Sequence, residues 1–113
     1  MKAERIFRRK FTLAFAQTEQ ERTEQFALEG ECQKAFVRMP NFASAVTGVV
    51  SLLDEEDFEV VASGSLAKNQ DHKVDAAWPL PGLQKVKMRL SAALGAGDGG
   101  NVIVVLYGRK VGI

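Results

Sequence analysis

Chemistry in this chain would have to come from one histidine, one cysteine, a run of acids or a glycine-rich segment. A single imidazole, His72, excludes any metal site or acid–base pair that needs two. Asp71 and Asp75 flank it, but a solvated loop histidine is the commoner meaning of such surroundings. A lone Cys32 excludes an internal disulfide, and with no catalytic motif around it the residue reads as a small buried thiol. The run Asp54-Glu55-Glu56-Asp57 lacks the alternating ligands, central glycine and distant glutamate of a calcium loop. Four acids cannot be buried unpaired, so they mark an exposed turn, or a contact for a basic patch elsewhere. Gly95 to Gly100 lacks the Gly-Lys-Ser/Thr ending of a phosphate-binding loop and precedes a strand instead of a helix, so it reads as a flexible hairpin loop. Ser51, Ser63, Ser65 and Ser91 sit in no Gly-x-Ser-x-Gly elbow. No catalytic, metal-ligating or cofactor-binding residue is assigned, no cofactor is expected, and the chain is not expected to be an enzyme.

Two features are better suited to binding. The start, Arg5-Ile6-Phe7-Arg8-Arg9-Lys10, mixes cations with apolar residues, which suits an acidic protein surface or phosphates; it equally suits an edge strand kept from aggregating by its charges. Trp78, beside Pro79, either caps the core or stands out as a contact aromatic. The candidate partner-binding residues are therefore Arg5, Phe7, Arg8, Arg9 and Trp78.

The elements that must carry these residues are strands. Phe7, Arg9, Phe11, Leu13 and Phe15 share one parity, a strand with an aromatic face. Arg9 falls among the aromatics, so the stripe is expected to begin properly at Phe11, with residues 1–10 a possible basic N-terminal arm and 11–113 one domain. Thr23–Glu29 alternates with Phe26 and Leu28, and Glu31–Met39 places Ala35, Val37 and Met39 opposite Lys34, Phe36 and Arg38. Thr47–Leu53 and Phe58–Leu66 flank the acidic turn as a hairpin. Val74–Leu80 is predicted to be a short edge segment broken by Pro79 and Pro81. Gln84–Ser91 alternates residue by residue, and Val102–Tyr107 is apolar on both faces, so it should be central or covered on its outer side. These last two are predicted to form a hairpin across the glycine-rich loop.

About eight short strands with turn residues between them predict an all-β fold, an antiparallel β-sandwich or jelly roll, with a small closed barrel as the alternative. At 113 residues one modest core is expected. Fifteen Lys and Arg against fourteen Asp and Glu leave the chain near neutral, so bulk charge argues against nucleic acid as a partner. The charge is uneven: residues 1–10 carry a net +4, and residues 54–59 carry five acids. The first 30 residues hold no apolar run of signal-peptide length and no stretch reaches membrane-spanning length, so no membrane partner is expected.

Several stretches together resemble a known family: a strand ending Leu52-Leu53-Asp54 before an acidic turn, then Ser63-Gly64-Ser65-Leu66-Ala67-Lys68-Asn69, then Pro79-Leu80-Pro81-Gly82 leading into Val86-Lys87-Met88-Arg89-Leu90-Ser91, a Gly/Asp-rich loop, and Val102–Tyr107. The order is similar to that of small structural proteins of tailed bacteriophages, of the head decoration or cement type, over roughly residues 44–108. The resemblance implies a β-sandwich made in the host cytoplasm and placed on the capsid surface of the virion. It also implies the major capsid protein lattice as partner, and a homo-oligomer, with a trimer favoured. A head–tail connector or tail-associated part is a variant of this expectation. A carbohydrate-binding jelly-roll module is the alternative, with Trp78 and Tyr107 as its candidate aromatics.

Overall fold

The computed structural model describes residues 3–112. Seven strands follow one another: β1 (Ala3–Phe15), β2 (Glu21–Met39), β3 (Thr47–Leu53), β4 (Glu59–Ala62), β5 (Leu66–Ala67), β6 (Gln70–Leu90) and β7 (Gly100–Gly112). They pair antiparallel in the order β1-β7-β2-β6-β3-β4, with β5 on β3. The all-β antiparallel sandwich expected from the alternation is present, built from fewer and longer strands.

The length of β2 and β6 makes it a sandwich. At about 3.3 Å per residue, the 21 residues of β6 would span about 70 Å if straight, yet the longest dimension of the molecule is 54 Å. Both strands therefore bend, and each serves two layers. In the first layer the order is β1, β7, the second half of β2 and the first half of β6; in the second it is the first half of β2, the second half of β6, β3 and β4. The bend falls where Gly30 (φ 153°) and Gly82 (φ 133°) adopt backbone conformations that side chains disfavour.

Both expected breaks are thus bends. Gly30 pairs with Leu80 and Lys110, so the two predicted strands around it are one. Pro79 and Pro81 sit opposite Glu31 and Glu29 in the part of β6 that forms the edge of the first layer, where a missing N–H costs no ladder bond. The predicted hairpin between Gln84–Ser91 and Val102–Tyr107 does not form. β6 pairs with β2 and β3, whereas β7 lies between β1 and β2, so the glycine-rich segment is a crossover between layers.

That crossover is held at several points. Leu94 is buried and its amide donates to Glu19 O, while Gly97 N donates to Gln17 Oε1 at 2.7 Å. Asp98 accepts from Ala43 N and Ser44 N at 3.1 and 2.8 Å, and from Gly99 N. The Ser44 hydroxyl, and the Ser44, Ala43 and Gly99 amides, hold its carboxyl down at about 2. An unfolded chain takes up that proton near the ordinary value of 3.8, so the contribution is full above that pH and is lost as the pH falls towards 2. Asp98→Ala is expected to lower the melting temperature at pH 5 and to narrow its gap to the parent as the pH approaches 2. A gap that stays constant across that range, followed by circular dichroism, would count against this role.

One core fills the space between layers. Phe11 of β1 and Phe26 of β2 meet at a tilt of 58° with ring centres 4.9 Å apart, and Phe15 meets Phe42 edge-on at 6.1 Å. A register shift between Cys32 and Lys34 flips the inward parity of β2, so Phe26 and Cys32 (even) and Ala35, Val37 and Met39 (odd) all reach the core.

Candidate functional site

The outer face of the first layer carries the surface with the clearest capacity to bind. Its rows follow from register: Arg8, Tyr107, Lys34 and Asp75 lie side by side, then Lys10, Val105, Phe36 and Lys73, then Thr12, Ile103, Arg38 and Asp71. Down the middle run Ile103, Val105, Tyr107 and Phe36. The inward residues of β7, Val102, Val104 and Leu106, are fully buried. This is the strand that reads as apolar on both faces, and its outer side is covered only in part: Val105 is buried, but Ile103 and Tyr107 are half-buried and the neighbouring Phe36 of β2 remains 40% exposed.

The aromatics are fixed in place. Phe36 and Tyr107 meet edge-to-face at 5.6 Å, and Arg8 Nε donates to the Tyr107 hydroxyl at 2.9 Å with its guanidinium 5.8 Å from the ring centre. A shallow concavity of about 650 Å³ lies over them. At its rim Arg38 pairs with Asp71 at 2.9 Å, which lowers the Asp71 carboxyl, and Lys73 pairs with Asp75. Among the described residues, Arg8, Lys10 and Lys34 have no carboxylate within ion-pair distance. The face therefore offers apolar area, two held aromatic rings and three uncompensated cations. Such a surface suits an acidic partner with an apolar centre. Exposed ion pairs contribute about 0.2–1 kcal/mol each, so the apolar area must supply much of any affinity.

Of the five candidate contact residues, only Arg8 lies on this face. Arg5 is exposed, and Arg9, which shares the inward parity, places its guanidinium 5.8 Å over the Phe26 ring at the rim of the core. Phe7 is 6% exposed, so the aromatic stripe begins there and not at Phe11. Trp78 is 2% exposed and belongs to the core. Neither Phe7 nor Trp78 offers a contact surface, because both point between the layers. Residues 3–10 pair with 105–112 of the same chain, forming an edge strand whose outer side is open; Met1 and Lys2 of the expected arm lie outside the described residues.

Lys10, Lys34 and Phe36 were not among the five. The signal for them is the outward parity of their strands together with the two-sided apolarity of β7; what joins them is pairing across the sheet. The other candidates for chemistry are taken up structurally. His72 Nε2 lies 2.8 Å from Ala67 O. Cys32 Sγ is buried 3.4 Å from Lys34 O, and burial pushes its thiol up to about 11, so it is not a ready nucleophile at neutral pH.

The sequence matches no protein-family model and no curated protein. Among solved structures the chain is similar to the carbohydrate-binding module CBM36 in complex with calcium and xylotriose, at 16% identity and a TM-score of 0.50, over 96% of this chain and 99% of that one. It is also similar to the SPBc2 prophage-derived protein YomS, at 17% identity and a TM-score of 0.48, over 90% and 96%. A third likeness, at 10% identity and a TM-score of 0.40, is to the infectious bursal disease virus Gt strain structure, over 96% of this chain and 39% of that one. The likeness to CBM36 shows a shared β-sandwich fold.

Proposed function

We propose that the protein is a non-catalytic structural component of a tailed-phage virion, of the head decoration or cement type, that works by holding on to other protein surfaces. The observation that carries this is the outer row of β7, where Ile103 and Tyr107, with Phe36 of β2, remain partly uncovered beside Arg8, Lys10 and Lys34, which among the described residues have no carboxylate partner. A rigid sheet that presents such a face and an open edge strand is suited to bridging subunits of a shell, where many modest contacts add through multivalency. The sequence resemblance over residues 44–108 supplies the virion context. The test is to purify phage particles from the source host on a density gradient and analyse them by mass spectrometry. Peptides of this chain should band with the major capsid protein in constant ratio, and their absence from the particle band would sink the proposal.

A carbohydrate-binding role is the second reading, favoured by the Phe36–Tyr107 pair and by the fold shared with CBM36, a module solved with xylotriose. Trp78 cannot serve it from inside the core. Xylotriose and acidic oligosaccharides titrated against tyrosine fluorescence would show saturable change if this reading holds, and none if the face binds only protein.

A further inference from the structure

We propose that the occupant of this face is the acidic hairpin between β3 and β4 of a second copy of the same chain, so that copies join head to tail. The inference rests on the reading of the face as a docking surface given above, and it names the partner.

The hairpin carries the complement of the face. Phe58 is 70% exposed at its exit and Val60 is 40% exposed on β4, beside Glu55, Glu56 and Glu59. The other two acids are engaged within the turn. Asp54 Oδ1 accepts from Glu56 N and Phe58 N at 2.8 and 2.9 Å, and Asp57 pairs with Lys85. Among the described residues Glu55, Glu56 and Glu59 have no cation within ion-pair distance. Three free carboxylates around an exposed phenyl ring thus face three free cations, Arg8, Lys10 and Lys34, around Phe36 and Tyr107. The turn is already shaped by its own hydrogen bonds, so docking it orders little chain.

Within one chain the two cannot meet. The face lies on the outer side of the first layer, and β4 ends the second layer at the opposite end of the strand order. Pairing β1 with β1 of another copy is disfavoured, because it would bring the Arg5, Arg8, Arg9 and Lys10 stretches against each other. A face and a hairpin on separate parts of the surface make a heterologous contact, which builds rings when the rotation closes and chains when it does not.

Light scattering on the purified full chain tests this without any phage component. At low salt the mass should rise with concentration through multiples of 12.4 kDa. At about 1 M salt, where screening shortens to about 3 Å, association should weaken by the ion-pair share while the apolar share persists. Glu56→Ala with Phe58→Ser removes the hairpin contact, and Lys34→Ala with Phe36→Ser removes the face contact. All four side chains are exposed, so both variants should keep the parent circular dichroism spectrum, and each should weaken association roughly 30-fold or more. Mixed together, the two variants should form a one-to-one pair and stop there, since one retains only the face and the other only the hairpin. A parent that stays monomeric to about 1 mM, or oligomers that survive either variant, would overturn the proposal. A monomeric chain that still bands with phage particles would overturn self-association while leaving the virion role standing; self-association without any virion location would do the reverse.

Discussion

Gly108→Ala is expected to cost about 3 kcal/mol or more of folding stability, although it adds a single methyl group. Gly108 is one member of a row across the first layer: Phe7 lies opposite it on β1, Cys32 opposite it on β2, and Trp78 opposite Cys32 on β6. A Cβ at 108 would run into the Glu31 carbonyl oxygen and come within 2.8 Å of both Cys32 Cα and Phe7 Cε2. Backbone atoms of β2 cannot swing aside as a side-chain end can, so β7 would have to leave its register or Phe7 its place. Gly64→Ala is the control, since a Cβ there meets nothing within 4 Å; it should stay within about 0.5 kcal/mol of the parent. Urea denaturation of the three proteins decides the matter. Equal midpoints for the two variants would show that β2 and β7 do not approach as closely as described.

The same row predicts the second large effect. Trp78→Ala should cost about 3–5 kcal/mol, a large share of the about 5–15 kcal/mol that holds a typical domain. Removing the indole leaves a hole beside Cys32 and Leu80, both of them buried on strands fixed by pairing on β2 and β6, so the site cannot collapse to fill it. Trp78 is the only tryptophan, so its fluorescence reports its own surroundings. Emission should be blue-shifted in the folded protein and move to the red on unfolding. A native spectrum typical of a solvated indole, or a loss below about 1 kcal/mol in the variant, would return Trp78 to the surface as a contact aromatic.

How much of this was readable in advance differs from residue to residue. Arg9 shows where parity stops being enough: its place in the alternation is correct, but a long side chain can lie over the Phe26 ring at the rim, so a cation in an aromatic stripe need not end it, and Phe7 beyond it is buried. Gln33 shows a second limit, since the register shift there reverses parity within one strand. Each half looks regular by itself, and only the whole strand shows that both sets face one core.

Alternation, two-sided apolarity and turn chemistry are local properties, and by themselves they determined that this chain is all-β, that the 54–57 turn closes a hairpin, and that Val102–Tyr107 had to be central or covered on its outer side; it lies between β1 and β2. Partner choice is not local. Any two strands of suitable alternation satisfy each other's backbone equally well, so the adjacency of Gln84–Leu90 and Val102–Tyr107 in the chain could not show that a crossover, tied down through Leu94 and Asp98, sends the latter between β1 and β2 instead. That placement alone puts Arg8, Lys10, Lys34, Phe36 and Tyr107 on one surface, because cross-strand neighbours are chosen by how two layers close over a shared core.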